Sequence, residues 1–174
     1  MNNKQKFSIN DIVSTAMLIA LVILSTFIKI PFGGAMVHLG SAAIFLSGIL
    51  FGGKKAAIAG SVGSFLFDLL IGQGAYTLWS LMIKGLAGFT VGTVAWSGGK
   101  KGKVMSRNVI ACLAGAVVTL IGYEIAWAVV GGSIQFAIAN IPASLLTSSL
   151  GMLVAIPMYK PLRIALVKSR LIQN

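Results

Sequence analysis

Apolar residues fall into six runs separated by short polar or glycine-rich breaks. The first spans residues 11–30 and is broken by Pro31, Phe32, Gly33 and Gly34. The second covers 37–51 and stops at Gly52-Gly53-Lys54-Lys55. The third covers 56–71 and stops at Gly72-Gln73-Gly74. The fourth, fifth and sixth cover 76–96, 108–130 and 134–156. Pro157 and Pro161 mark where the last weakens. Four of the runs reach the roughly 20 residues that cross a bilayer as a helix. The second and third are shorter, which predicts short helices that thin the membrane locally or borrow residues from their loops.

The pattern predicts an all-α integral membrane protein: one domain, residues 1–174, a compact bundle of six transmembrane helices. Composition agrees. Apolar residues make up 57% of the 174 and charged residues 10%, against about 25% charged in soluble domains. A water-facing surface cannot be built from so few charges, and lipid is the natural solvent. The first run exceeds the apolar core of a signal peptide, about 7–15 residues, and is read as a retained span.

Net charge is +11, which raises nucleic-acid binding as a reading. The placement of the charges argues against it. With six spans, the N-terminus, the loops at Lys54 and Lys100 and the C-terminus share one side, and 12 of the 14 basic residues lie there; the exceptions are Lys29 and Lys84. Positive loops stay cytoplasmic, so both termini are expected inside, with the chain in the cell membrane. Cys112 is alone, so no intrachain disulfide forms; mid-span among Ala and Leu, it reads as a small packing residue. No His or Cys cluster offers a metal site, and no cofactor is expected. The enzyme signatures H-E-x-x-H, G-x-S-x-G and G-x-x-x-x-G-K-[ST] are missing, so no catalytic residue is assigned.

Small residues recur four apart: Ala16 and Ala20, Gly48 and Gly52, Gly88 and Gly92, Ala111 and Gly115, and Ala56, Gly60 and Ser64. Such pairs let helices approach closely. They serve packing within the bundle, or for one or two of them an interface with another membrane protein.

Polar residues are more telling, because ionisable groups inside a membrane are costly and are usually paired or functional. Asp68, Lys84, Glu124 and Asn140 all fall in the half of the bilayer away from the basic loops, and His38 opens the second span from that side. Gln73, Tyr76, Trp79, Tyr123, Trp127 and Gln135 join them. Helical spacing places Tyr76, Ser80 and Lys84 on one face, Glu124 and Trp127 on a second, and Asn140, Ser144 and Thr147 on a third. The three stripes predict a polar pocket open to the outside above an apolar, sealed inner half. Plainer readings stand beside this. Lys84 and Glu124 could neutralise one another as a structural pair, Tyr76, Trp79 and Trp127 could be interfacial belt aromatics, and Asp68 could pair helices. A self-contained proton-coupled carrier or channel, with Asp68, Lys84 and Glu124 as a relay, is the rival function. No ionisable group in the inner half extends such a relay.

Three stretches carry a resemblance: Val37-His38-Leu39-Gly40, Leu50-Phe51-Gly52-Gly53-Lys54-Lys55-Ala56, and Gly60-Ser61-Val62-Gly63-Ser64-Phe65-Leu66-Phe67-Asp68-Leu69-Leu70. With six spans, they resemble the substrate-binding S components of energy-coupling factor (ECF) vitamin transporters. The resemblance is strongest over residues 37–96 and, within the family, closest to the hydroxymethylpyrimidine/pyridoxine-type branch. It implies a subunit without its own chemistry. Such a subunit captures a vitamin outside, docks on a transmembrane coupling (T) protein with two ABC-type ATPases, and topples to deliver its cargo. Its A-x-x-x-A docking motif would be Ala16 and Ala20. Its vitamin site would draw on the first, third and fifth loops and the outer parts of helices four to six, where the polar cluster lies. The flexible loop at Pro31, Gly33 and Gly34 would close over the ligand.

Overall fold

The protein was analysed as a computed structural model, which describes residues 8–32, 35–169 and 171–172. Six α-helices, α1 (Ile9–Phe27), α2 (Gly40–Phe51), α3 (Gly53–Leu70), α4 (Gly74–Trp96), α5 (Met105–Val130) and α6 (Ile134–Lys168), follow in chain order. A two-stranded antiparallel hairpin, β1 (Lys29–Phe32) and β2 (Ala35–His38), joins α1 to α2. Successive helices reverse direction, so the hairpin, the α3–α4 turn and the α5–α6 turn lie at one end of the bundle. The loops rich in Lys and Arg lie at the other, the basic end.

Among the described residues four helices, α1, α4, α5 and α6, are long and apolar enough to cross a membrane. α2 has 12 residues and would reach only about 18 Å at 1.5 Å per residue. It is nonetheless the centre of the bundle: residues 40–50 are all buried, packed by α1, α3, α4 and α6. A helix apolar on every side belongs inside. The hairpin continues from its N-terminal end: β1 and β2 bond to each other, with Lys29 opposite His38 and Phe32 opposite Ala35, and Val37 of β2 is buried while β1 is mostly exposed.

The structure therefore changes two boundaries. Residues 29–30 and 37–38 are strand rather than span, and His38 precedes α2 instead of opening it. Gly33 and Gly34, expected in a mobile loop, lie outside the described residues. At the other end of the chain, Pro157 and Pro161 do not stop α6, which continues to Lys168 with both prolines inside. Each removes one backbone donor. Packing holds the turn between them, where Tyr159 is buried against the core.

Most of the small-residue pairs are packing positions. A Cβ at Gly60 would stand 2.5 Å from the Lys84 carbonyl oxygen, and one at Gly92 or Gly88 would collide with the backbone of Gly53 or Ala56. α3 and α4 thus meet backbone to backbone. Gly52, at φ +82°, turns α2 into α3 with no intervening loop, a conformation costly for a residue with a Cβ. Ala16 and Ala20 are the exception: both are exposed on α1.

Candidate functional site

At the hairpin end, above the first turn of α2, the helices and β2 line a half-open cavity of about 220 Å³. α4 supplies Tyr76, Ser80 and Lys84, with Gln73 just before it; α5 supplies Thr119, Tyr123 and Trp127; α6 supplies Ala143, Ser144 and Thr147. Ser64, Phe67 and Asp68 come from α3, Thr26 from α1, and Ala35, Met36 and His38 from β2. Seven of the ten binding residues expected from the sequence line it: His38, Asp68, Gln73, Tyr76, Lys84, Tyr123 and Trp127. Trp79, Glu124 and Asn140 lie outside the lining. Asn140 is buried and donates from Nδ2 to the Phe136 carbonyl of its own helix at 2.8 Å. The Glu124 carboxylate oxygens are shielded and have no hydrogen-bond partner.

Lys84 organises the polar wall. Its backbone is pinned where Gly60 lets α3 touch α4, and its side chain is 3% exposed. Nζ donates to Ser41 Oγ at 3.3 Å and stands 5.1 Å from the centre of the Tyr123 ring. A cation over an aromatic face is attracted by the ring quadrupole. Tyr123 is fixed in turn, its hydroxyl 2.9 Å from Ser80 Oγ and its ring centre 5.7 Å from that of Trp127. Phe67 carries Lys29 Nζ 5.2 Å from its ring centre and meets Phe27 edge-on at 5.0 Å. His38 Nδ1 accepts the Gly40 N–H at 3.1 Å, which leaves Nε2 as the ring's donor in the neutral form. Thr147 Oγ1 donates to the Met36 carbonyl at 3.4 Å, tying β2 to α6.

Among the described residues the one ion pair is Lys55–Asp11 at 2.8 Å. Lys84 therefore forms no salt bridge with Glu124, the structural pairing considered above. Lys84 and Asp68 share the cavity without bridging, and Asp68 Oδ2 is shielded from solvent with no partner. Buried polar atoms left unpaired are costly. A ligand that accepts from Lys84 and donates to Asp68 would satisfy both. Aromatic faces at Tyr123 and Trp127 suit a flat ring.

Sequence reasoning missed Thr26, Ala35, Met36, Ser64, Phe67, Thr119 and Ala143. Thr26 lies near the end of α1, and Ala35 and Met36 lie on the hairpin, whose one signal in the sequence was a Gly-Gly pair of the kind that connects two strands. Ser64 had been noted only for its helix-packing spacing.

Fold and cavity define a helical membrane protein that encloses a small polar site near one end. A model described as "ECF-type riboflavin transporter, S component" matches residues 6–164, and the chain belongs to that family. A solved structure of the S component of a bacterial ECF transporter superposes with a TM-score of 0.67 at 20% identity, covering 89% of this chain and 96% of that one; at that identity the likeness is one of fold. An uncharacterised protein of Pyrococcus woesei is 33% identical over 96 residues, 55% of this chain. The match spans 62% of that relative's length.

Proposed function

We propose that this chain is the substrate-binding S subunit of an ECF-type importer, a transport subunit rather than an enzyme. Its ligand is a small flat vitamin or vitamin precursor held in the hairpin-end cavity. The observation that carries this reading is the pair of unbridged opposite charges, Lys84 and Asp68, in one half-open cavity with aromatic walls. Such a set recognises a heterocycle that both accepts and donates hydrogen bonds.

The family's description points to riboflavin, while the sequence resemblance points to a single-ring pyrimidine or pyridine. A cavity of about 220 Å³ is below the roughly 300–1,000 Å³ usual for drug-sized ligands, which favours the single ring. The topology proposed is six spans with both termini in the cytoplasm, supported by the basic residues gathered at one end. Partners are a T protein and two ABC-type ATPases. The exposed Ala16 and Ala20 present a smooth face for docking, so Ala16→Trp with Ala20→Trp is expected to abolish co-purification with the energising module and spare ligand binding.

Calorimetric titration of the purified protein with hydroxymethylpyrimidine, pyridoxine and riboflavin tests the ligand reading. Binding of a single-ring compound at least tenfold tighter than riboflavin is expected. Tighter riboflavin binding would reverse the choice, and no binding of any of the three would remove the vitamin assignment.

A further inference from the structure

A second crevice, of about 240 Å³, opens at the basic end of the bundle. Its lining comes from α2, α3, α4, α6, the α4–α5 loop and the segment after α6. Lys55, Lys101 and Arg163 supply three cations, and Phe51, Trp96 and Ile172 supply apolar walls.

Each wall is fixed by its own contacts. Trp96 donates its indole N–H to the Ile49 carbonyl at 3.0 Å, and its ring lies flat enough on Gly52 that a Cβ there would stand 3.2 Å away. Past α6 the chain folds back, the N–H of Ile172 reaching the Leu166 carbonyl at 3.4 Å. Arg163 Nη1 donates to the Lys101 carbonyl at 2.8 Å, which ties the loop to α6, and both residues line the crevice. Lys55 is engaged differently: its Nζ is held by Asp11 at 2.8 Å and Ser14 at 2.9 Å, and it stands 5.7 Å from the centre of the Phe51 ring. Among the described residues, Lys101 and Arg163 have no acidic partner.

We infer that this crevice binds the phosphodiester headgroup of an anionic phospholipid from the leaflet at the basic end. Lys101 and Arg163 hold the phosphate, and Phe51, Trp96 and Ile172 cover the glycerol and the first acyl carbons. A soluble anion needs the cations alone. The apolar walls within the same cleft match an amphiphile, and basic pockets among membrane helices at this level suit lipid headgroups. Trp96 occupies the depth where indoles favour the membrane interface. The site lies at the far end of the bundle from the ligand cavity and does not depend on what that cavity carries.

Native mass spectrometry of the full chain in a neutral detergent tests it, with phosphatidylglycerol, phosphatidylcholine or glycerol 3-phosphate added separately. Retention of phosphatidylglycerol alone is expected. Lys101→Gln with Arg163→Gln should weaken that retention about 25-fold, at roughly fivefold per cation removed. Lys168→Gln, at the same end but outside the crevice, should change it by less than twofold. Should the double variant misfold, Lys101→Gln alone, in an exposed loop position, is expected to cost about fivefold. Equal retention of phosphatidylcholine overturns the inference, as does binding of glycerol 3-phosphate as tight as that of the lipid. Unchanged lipid retention in the variants also overturns it, including the case where they lose only the capture of a partner protein.

Discussion

The two ends of the bundle are built by the same helices and differ in what the small residues leave behind. Toward the basic end, Phe45, Ile49, Val91, Ala111, Cys112, Ala155 and Tyr159 form a continuous apolar core with no polar atom among their side chains except the Tyr159 hydroxyl and the Cys112 thiol. The α4–α5 loop then folds beneath it, with the Gly102 N–H on the Ala95 carbonyl and Asn108 Nδ2 on the Gly102 carbonyl. Toward the hairpin end, α2 stops at Gly40, and a two-stranded ribbon occupies the column in place of helix. The cavity lies beside it, lined by Ala35, Met36 and His38 of β2. One short central helix therefore produces both the sealed half and the open one. A relay of ionisable groups through such a core has no residues to use, which is why capture at one end fits this chain better than conduction through it.

The largest effect is expected where backbones touch. Gly92→Leu places side-chain atoms where Gly53 backbone already lies. Neither helix can retreat without opening the α3–α4 contact, so the loss should exceed about 4 kcal/mol, the exceptional class of single substitutions. Failure to recover folded protein by size exclusion is the expected readout. A folded variant with normal ligand affinity would show that the two ends are not held by this contact.

Tyr159→Ala comes next. It removes one of the largest fully buried side chains from the sealed half. Inside lipid the loss is mainly of packing contacts, and cavity formation on this scale costs about 3–5 kcal/mol. Unfolding in graded detergent mixtures should show the destabilisation, while calorimetry on the remaining folded protein should show unchanged ligand affinity. A large affinity change would mean that the sealed half is coupled to the cavity.

How far the sequence disclosed this difference varies by residue type. The positions of the six helices followed from apolar run length, because apolar runs of that length favour helix in a lipid-facing chain. Lys84, Asp68 and Tyr123 were legible as cavity-lining residues because a charge or hydroxyl at that depth has few other reasons to exist. Glu124 satisfied the same rule yet does not line the cavity. Depth is readable from residue number, but the direction in which one helix face points depends on rotation against its neighbours, set here by Gly122 against Ile83 and Gly115 against Val91. The hairpin was missed for a related reason. In a membrane chain, Ile30 and Val37 beside apolar runs read as more span, and only the Gly-Gly pair between them signalled otherwise. The length of α6 was hidden by prolines that packing tolerates.

Lys84→Met probes the open half directly. It keeps the stem and removes the charge, along with the 3.3 Å bond to Ser41. Loss of one ligand hydrogen bond of this kind costs about 1–3 kcal/mol, or roughly five- to 150-fold in affinity. Stability should hold or rise, since an unbridged buried cation is removed. Weakened binding with unchanged or higher unfolding resistance marks a binding residue. Lower stability with unchanged affinity per folded molecule would instead mark a structural one.

Glu124→Gln is expected to have the smallest effect and to draw the boundary of the cavity most finely. Glu124 lies one residue from Tyr123 on α5, and a helix turns about 100° per residue, so adjacent positions face different surroundings. Tyr123 looks onto the cavity with Lys84 beneath its ring. Glu124 is not among the lining residues; its two oxygens are shielded and make no hydrogen bond of good geometry, although the carboxylate lies near Ser144 of the lining. The amide is nearly the same shape, so the packing is retained. Affinity for the ligand should therefore change by less than about twofold, well under the cost of one lost hydrogen bond. Tyr123→Phe, one position away, removes only the hydroxyl that meets Ser80 at 2.9 Å. It should cost more than Glu124→Gln, because Ser80 also lines the cavity and loses a partner. Calorimetric titration of the two variants side by side measures the contrast. If Glu124→Gln proved the more damaging of the two, α5 would have to rotate toward Glu124 when ligand binds, and the lining described here would be that of the empty protein alone.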